Sequence, residues 1–101
     1  MSISSFVEIG DTRLEYVRIP AAADGLPPLV FLHEGLGSVA MWRDFPQRVA
    51  AATGAETVVY SRRGYGKSSK LAGKRAVDYM HREARETLPA VLQTLKLQHP
   101  I

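Results

Sequence analysis

Two short apolar runs, Leu29-Val-Phe-Leu32 and Thr57-Val-Val-Tyr60, constrain this chain more than any other feature. A strand with apolar side chains at consecutive positions is suited to burying both faces, as strands inside a parallel sheet do. Parallel neighbours cannot be joined by a tight turn and need a crossover. Between the runs, Phe45, Val49 and Ala52 recur at helical spacing, and Gly54 offers a stop. If Asp44 caps that helix, Pro46 falls in the first turn, where a missing N–H is tolerated. Residues 28–60 therefore read as strand, helix, strand with a right-handed crossover, in a sheet needing helices on both faces.

The flanking segments complete an α/β chain. Residues 4–19 read as a hairpin: Phe6, Val7 and Ile9 precede the turn pair Gly10-Asp11, and Leu14, Tyr16 and Arg18 then alternate with Glu15, Val17 and Ile19. Pro20 ends the second strand because it has no N–H for the ladder. Residues 61–75 form a basic loop. A helix over about 79–96 follows, its apolar stripe made by Met80, Ala84, Leu88, Val91, Leu92 and Leu95. Pro89 should kink it by removing the bond to the Arg85 carbonyl. His99-Pro100-Ile101 reads as the opening of another parallel strand, so a truncated domain is expected.

Composition narrows the function classes. Apolar residues make up 46% and charged residues 23% of 101, the balance of one small globular domain. The absence of cysteine removes disulfides and thiolate metal sites. The start MSISSFVEIGDT has neither the basic end nor the apolar run of a signal peptide, and no segment suits a membrane span. A cytoplasmic protein without a membrane partner is expected. Six of the thirteen Lys and Arg lie between Arg62 and Arg75 with no acid among them. Confined to one Gly- and Ser-containing segment, they suggest a solvated loop rather than a nucleic-acid face.

Chemistry is sought at the carboxyl ends of the parallel strands, where open α/β sheets place ligands. His33-Glu-Gly-Leu-Gly-Ser38 follows the first run and Ser61-Arg-Arg-Gly-Tyr-Gly-Lys-Ser68 the second. Gly66-Lys67-Ser68 imitates a phosphate loop, but position 61 is serine where that loop has glycine, and Ser-Ser-Lys-Leu-Ala-Gly cannot start its helix. Gly35-Leu-Gly-Ser-Val-Ala40 with Arg62-Arg63 fits a Rossmann-like NADP-binding module better. That fold would start its helix inside the glycine motif, burying Pro46 mid-helix at a cost of about 3 kcal/mol. It also has no place for the leading hairpin. A non-enzymatic interaction module using the basic loop is the other alternative.

The order of motifs is more specific. A strand, then HEGLGS, Trp42-Arg-Asp-Phe-Pro46, VVYSRRGYGKS, and a helix ending LPAVLQTLKL resembles the N-terminal part of the α/β-hydrolase family across essentially the whole chain. There the first loop usually reads H-G-G-P-G-S or H-G-x-P-x-S, followed by a Trp, and the second D-x-R-G-x-G-x-S. Glu34, Leu36 and Ser61 depart from that pattern, standing where a glycine, a proline and an aspartate are common.

The resemblance implies an antiparallel hairpin followed by parallel strands with flanking helices. It implies hydrolysis of an ester, amide, carbon–carbon or similar bond in a small-molecule substrate by a serine-type nucleophile, without metal or cofactor. The loop after the first run would hold the oxyanion through a backbone N–H, Gly35 first and Leu36 second. His33 is expected to pin that loop through a ring hydrogen bond. Trp42 lines the pocket mouth or packs the helix start onto the sheet. Ser38, Ser61, Ser68 and Ser69 read as ordinary loop serines, and His81 and His99 as structural or solvated. No G-x-S-x-G occurs, so no nucleophile is assigned and the 101 residues alone should be inactive. Self-association through an exposed Leu29–Leu32 edge is the remaining expectation.

Overall fold

The computed structural model describes residues 4–33, 37–71, 73, 75 and 77–101. Strand β1 (Ser5–Ile9) and strand β2 (Thr12–Ile19) form an antiparallel hairpin around Gly10-Asp11, with Ile9 opposite Thr12. Strand β3 (Leu29–Leu32) pairs in parallel with strand β4 (Thr57–Tyr60), Leu29 opposite Thr57, and β4 pairs antiparallel with β2, Val17 opposite Val59. The sheet order is β1-β2-β4-β3. Ile101 lies beside β3: its N–H donates to the Pro28 carbonyl and its carbonyl accepts the Val30 N–H, both at 2.8 Å, the bonding of a parallel bridge.

The two apolar runs have different fates. All four residues of β4 are buried, as their composition predicts. β3 is instead half-buried, and Leu32 is 53% exposed. Apolar composition gave the strand but not its place in the order: β4 pairs along the whole of one edge, while among the described residues the other edge is met by Ile101 alone. The expectation of burial on both faces is corrected accordingly.

Helix α1 (Phe45–Thr53) joins the parallel pair and packs on β4. Asp44 is its N-cap residue and Pro46 lies in its first turn, but the Asp44 carboxylate makes no cap bond. It accepts from Arg48 Nε at 2.8 Å, and that hydrogen bond, with the guanidinium charge, holds its pKa below the usual value. The inward residues are Pro46 and Ala50 rather than the expected Phe45 and Ala52. Phe45 keeps an edge contact with Phe31, ring centroids 5.8 Å apart.

The last helical run covers the opposite face. It comprises helix α2 (Tyr79–Arg82), a π-helical stretch (Glu83–Thr87) and helix α3 (Leu88–Thr94). The single helix over 79–96 is therefore refined: the run widens for a turn ahead of Pro89, which then occupies the first turn of α3 and needs no N–H partner. Val91 and Leu95 pack with Leu14, Val58 and Tyr60 in the main core, while Met80 and Ala84 stay exposed. Only the C-terminal half of the expected stripe is inside. Complete burial of a side chain such as Val91 contributes about 1.5–3 kcal/mol.

Candidate functional site

β3 and β4 run in parallel and end side by side, so their exit loops meet at one rim. His33, the first residue after β3, is 7% exposed, and its Nε2 accepts the Arg62 N–H at 3.0 Å. An accepting Nε2 leaves the proton of the neutral ring on Nδ1. The imidazole thus ties the exit of β3 to the exit of β4, and the Tyr65 ring packs against it at 4.8 Å.

The expected oxyanion donors, Gly35 and Leu36, lie outside the described residues, as does Glu34. The described chain resumes at buried Gly37 and half-buried Ser38, then enters a single 3-10 turn, Ala40–Trp42. Trp42 packs edge-on against Phe31 at 5.0 Å and stacks on Phe45 at 6.2 Å. Its indole N–H is buried without a hydrogen-bond partner among the described residues. Leu32, His33, Gly37, Ser38, Met41 and Trp42 line a cavity of about 450 Å³. The structure therefore brings His33, Ser38 and Trp42 to one hollow at the strand ends.

A buried polar network lies on the α1 side of the rim. Glu15 is 4% exposed, and its carboxylate accepts from Ser4 Oγ at 2.8 Å, Ser61 Oγ at 3.0 Å and the Lys67 N–H at 3.1 Å. Burying a carboxylate is costly unless such donors surround it. Ser61 Oγ in turn accepts the Val39 N–H at 2.8 Å. Ser68 Oγ accepts the Glu15 N–H at 2.8 Å and donates to the Ser61 carbonyl at 2.6 Å, while Ser69 exchanges bonds with the Arg13 backbone. Gly66 has φ +51°, and a Cβ there would stand 2.6 Å from both Glu15 Oε1 and Ser61 Oγ, so only glycine fits without displacement.

These contacts correct two expectations. Ser61 and Ser68 are buried at 0% and 6% exposure and join strand to loop, so they are not ordinary loop serines. The basic segment is not simply solvated either. Arg62 is buried, and Arg75 donates to the Arg63 carbonyl at 2.9 Å and lies over the rings of Tyr65 and Tyr79. Arginine stems and planar heads cover aromatic surface while keeping polar contacts, which a charge count alone does not register.

On the other side of the rim, the Tyr60 hydroxyl donates to Glu83 Oε2 at 2.5 Å. Burial, then that hydrogen bond and the Glu83 charge, push the phenol well above its ordinary pKa. A smaller cavity of about 160 Å³ opens there, bounded by His33, Tyr60, Arg62 and Glu83 among others.

Sequence reasoning missed Glu15 as a site residue. Its signal is an acid at the centre of a strand, flanked by Leu14 and Tyr16, sharing a face with Val17. Ser61 carried the complementary signal, a hydroxyl where the resembled pattern commonly has an acid.

A search of curated proteins finds no significant match. Among solved structures, the chain is similar to a haloalkane dehalogenase mutant from Agrobacterium tumefaciens C58 (TM-score 0.75, 21% identity, 98% of this chain and 31% of that one). It is also similar to a bromoperoxidase from Bacillus anthracis (TM-score 0.73, 22% identity, 97% and 33%). A third is a thioesterase domain from the curacin biosynthetic pathway (TM-score 0.72, 20% identity, 93% and 33%). The chain thus spans about a third of the length of these structures, and at such identities the likeness concerns the fold. A family model described as alpha/beta hydrolase fold matches residues 27–101, three-quarters of the sequence. With the mixed sheet and the two loops meeting at its rim, that match places the chain in the alpha/beta hydrolase fold family.

Proposed function

We propose that this chain is the leading part of an enzyme that hydrolyses an ester or related bond in a small-molecule substrate through a serine-type nucleophile. In this reading the loop after β3 supplies an oxyanion donor, the Gly35 N–H first and that of Leu36 second. His33 and Trp42 support that loop and the pocket beside it. The nucleophile and its acid and base partners are not assigned to any residue of the chain. The observation that carries the reading is the family match over residues 27–101, whose first loop opens on the rim cavity beside His33 and Trp42. Backbone donors suit the role because they are fixed before charge develops and cost no reorganisation in the transition state. The three similar structures are named for different chemistries, so none of them selects a substrate.

The test has two arms. The 101-residue chain should turn over p-nitrophenyl acetate no faster than a denatured control. In the intact enzyme, Gly35→Val crowds the donor with a branched side chain and should lower kcat by about 10²–10³. Full kcat in a normally folded Gly35→Val variant removes the oxyanion assignment. Turnover by the short chain that vanishes on mutating Ser38 or His33 removes the placement of the nucleophile elsewhere.

A further inference from the structure

We infer that Glu15 is a positioning residue for the loop after β3 and acts through the hydroxyl of Ser61. The inference rests on the reading of that loop as the oxyanion segment. Ser61 immediately follows β4 and its N–H donates to the Glu15 carbonyl at 2.9 Å, so the two side chains are cross-strand partners on the α1 face. A serine hydroxyl has a single proton, and here it points to Glu15 Oε1. The lone pairs are thereby turned toward the Val39 N–H, which they accept at 2.8 Å. Val39 leads into the 3-10 turn that carries Met41 and Trp42 to the rim cavity, and it follows Gly37 and Ser38 in the same loop. The carboxylate therefore fixes the direction of a hydroxyl that anchors one end of the loop.

The rest of the network keeps Glu15 from turning away. Ser4 Oγ holds the second carboxylate oxygen and the Lys67 N–H shares the first. Gly66 leaves the space that Glu15 Oε1 and Ser61 Oγ occupy. The resembled pattern commonly has an aspartate at position 61. In this chain the acid stands on the neighbouring strand, and the serine passes its hold on to the loop.

Residue-resolved hydrogen exchange on the intact protein tests the relay, with ester turnover measured alongside. Ser61→Ala should speed exchange of the Val39 amide by about tenfold, the equivalent of one lost hydrogen bond. Glu15→Gln should speed it less, and Ser61→Thr should leave it as in the parent. Exchange along the β2–β4 ladder should stay slow in all three. For turnover, kcat should fall about tenfold in Ser61→Ala at unchanged KM and recover in Ser61→Thr. Unchanged Val39 protection in Ser61→Ala overturns the inference. So does protection lost together with the ladder in Ser61→Ala and Ser61→Thr alike, or a released Val39 with unaltered kcat. An intact protein without ester turnover refutes ester hydrolysis alone, and the exchange arm still decides whether Glu15 holds the loop.

Discussion

At the scale of single residues, buried polar groups such as Tyr60, Glu15 and Ser61 build the rim and are held by their hydrogen bonds. Tyr60 gives this a measurable pH signature. Its phenol is held neutral by burial and by Glu83, so the folded chain keeps a proton that the unfolded chain releases above the ordinary tyrosine value near 10. A raised folded pKa means that the stabilisation is complete below about pH 10 and is lost as pH rises beyond it. Urea midpoints of the parent should therefore fall above pH 10, with a contribution from this group of up to about 1.4 kcal/mol per pH unit. Tyr60→Phe should be less stable at pH 7 by about 1.5 kcal/mol through loss of the hydrogen bond, and the gap should close as pH rises. A gap that stays constant from pH 8 to 11 refutes this account.

At the scale of elements, α1 ends because Gly54 takes φ +76°, returning its N–H to the Ala50 carbonyl at 2.8 Å. The Gly54 carbonyl then accepts from both Ala22 and Ala23, which clamps the loop before β3 onto the helix end. A Cβ on residue 54 would meet the Ala23 Cβ at 2.9 Å. Gly54→Ala should thus cost more than the left-handed backbone alone, about 2 kcal/mol or above, read as a lowered urea midpoint at unchanged slope. The helix stop was legible in the sequence; the clamp was not, since Ala22 and Ala23 carry no pattern that points to Gly54. The same holds for the last helical run. Pro89 announced an irregularity, but whether it would appear as a kink or as a π-helical stretch depends on how the C-terminal half seats Val91 and Leu95 on the sheet.

At the scale of the molecule, β3 presents an apolar edge on which, among the described residues, only Ile101 bonds, at Pro28 and Val30. The alternation of a parallel ladder turns the Leu32 N–H to the same open side, and the Leu32 side chain is largely exposed. Such an edge templates pairing with another chain. The 101-residue protein is expected to self-associate through it, and Leu32→Lys should shift the population toward monomer in size-exclusion chromatography across a concentration series. A monomer at all concentrations, or association indifferent to Leu32→Lys, removes the edge from the account. Among the described residues no helix is long and apolar enough to cross a membrane.

The sequence by itself determined the hairpin, the parallel strands, the first helix and the positions of the two loops, because these depend on local physics. Alternation and a Gly-Asp turn make the hairpin, apolar runs make the parallel strands, and Gly54 stops the helix. His33 and Trp42 were also legible, because the loop motif fixes their neighbours along the chain. The tertiary structure alone decided that Pro46 and Ala50 rather than Phe45 and Ala52 face inward, and that Glu15 meets Ser61. Glu15 and Ser61 are 46 positions apart, and their bond arises only when β4 is laid antiparallel on β2. Burial then makes a pair of this acid and this serine: without Glu15 the Ser61 proton loses its acceptor, and without Ser61 the Val39 N–H loses its own.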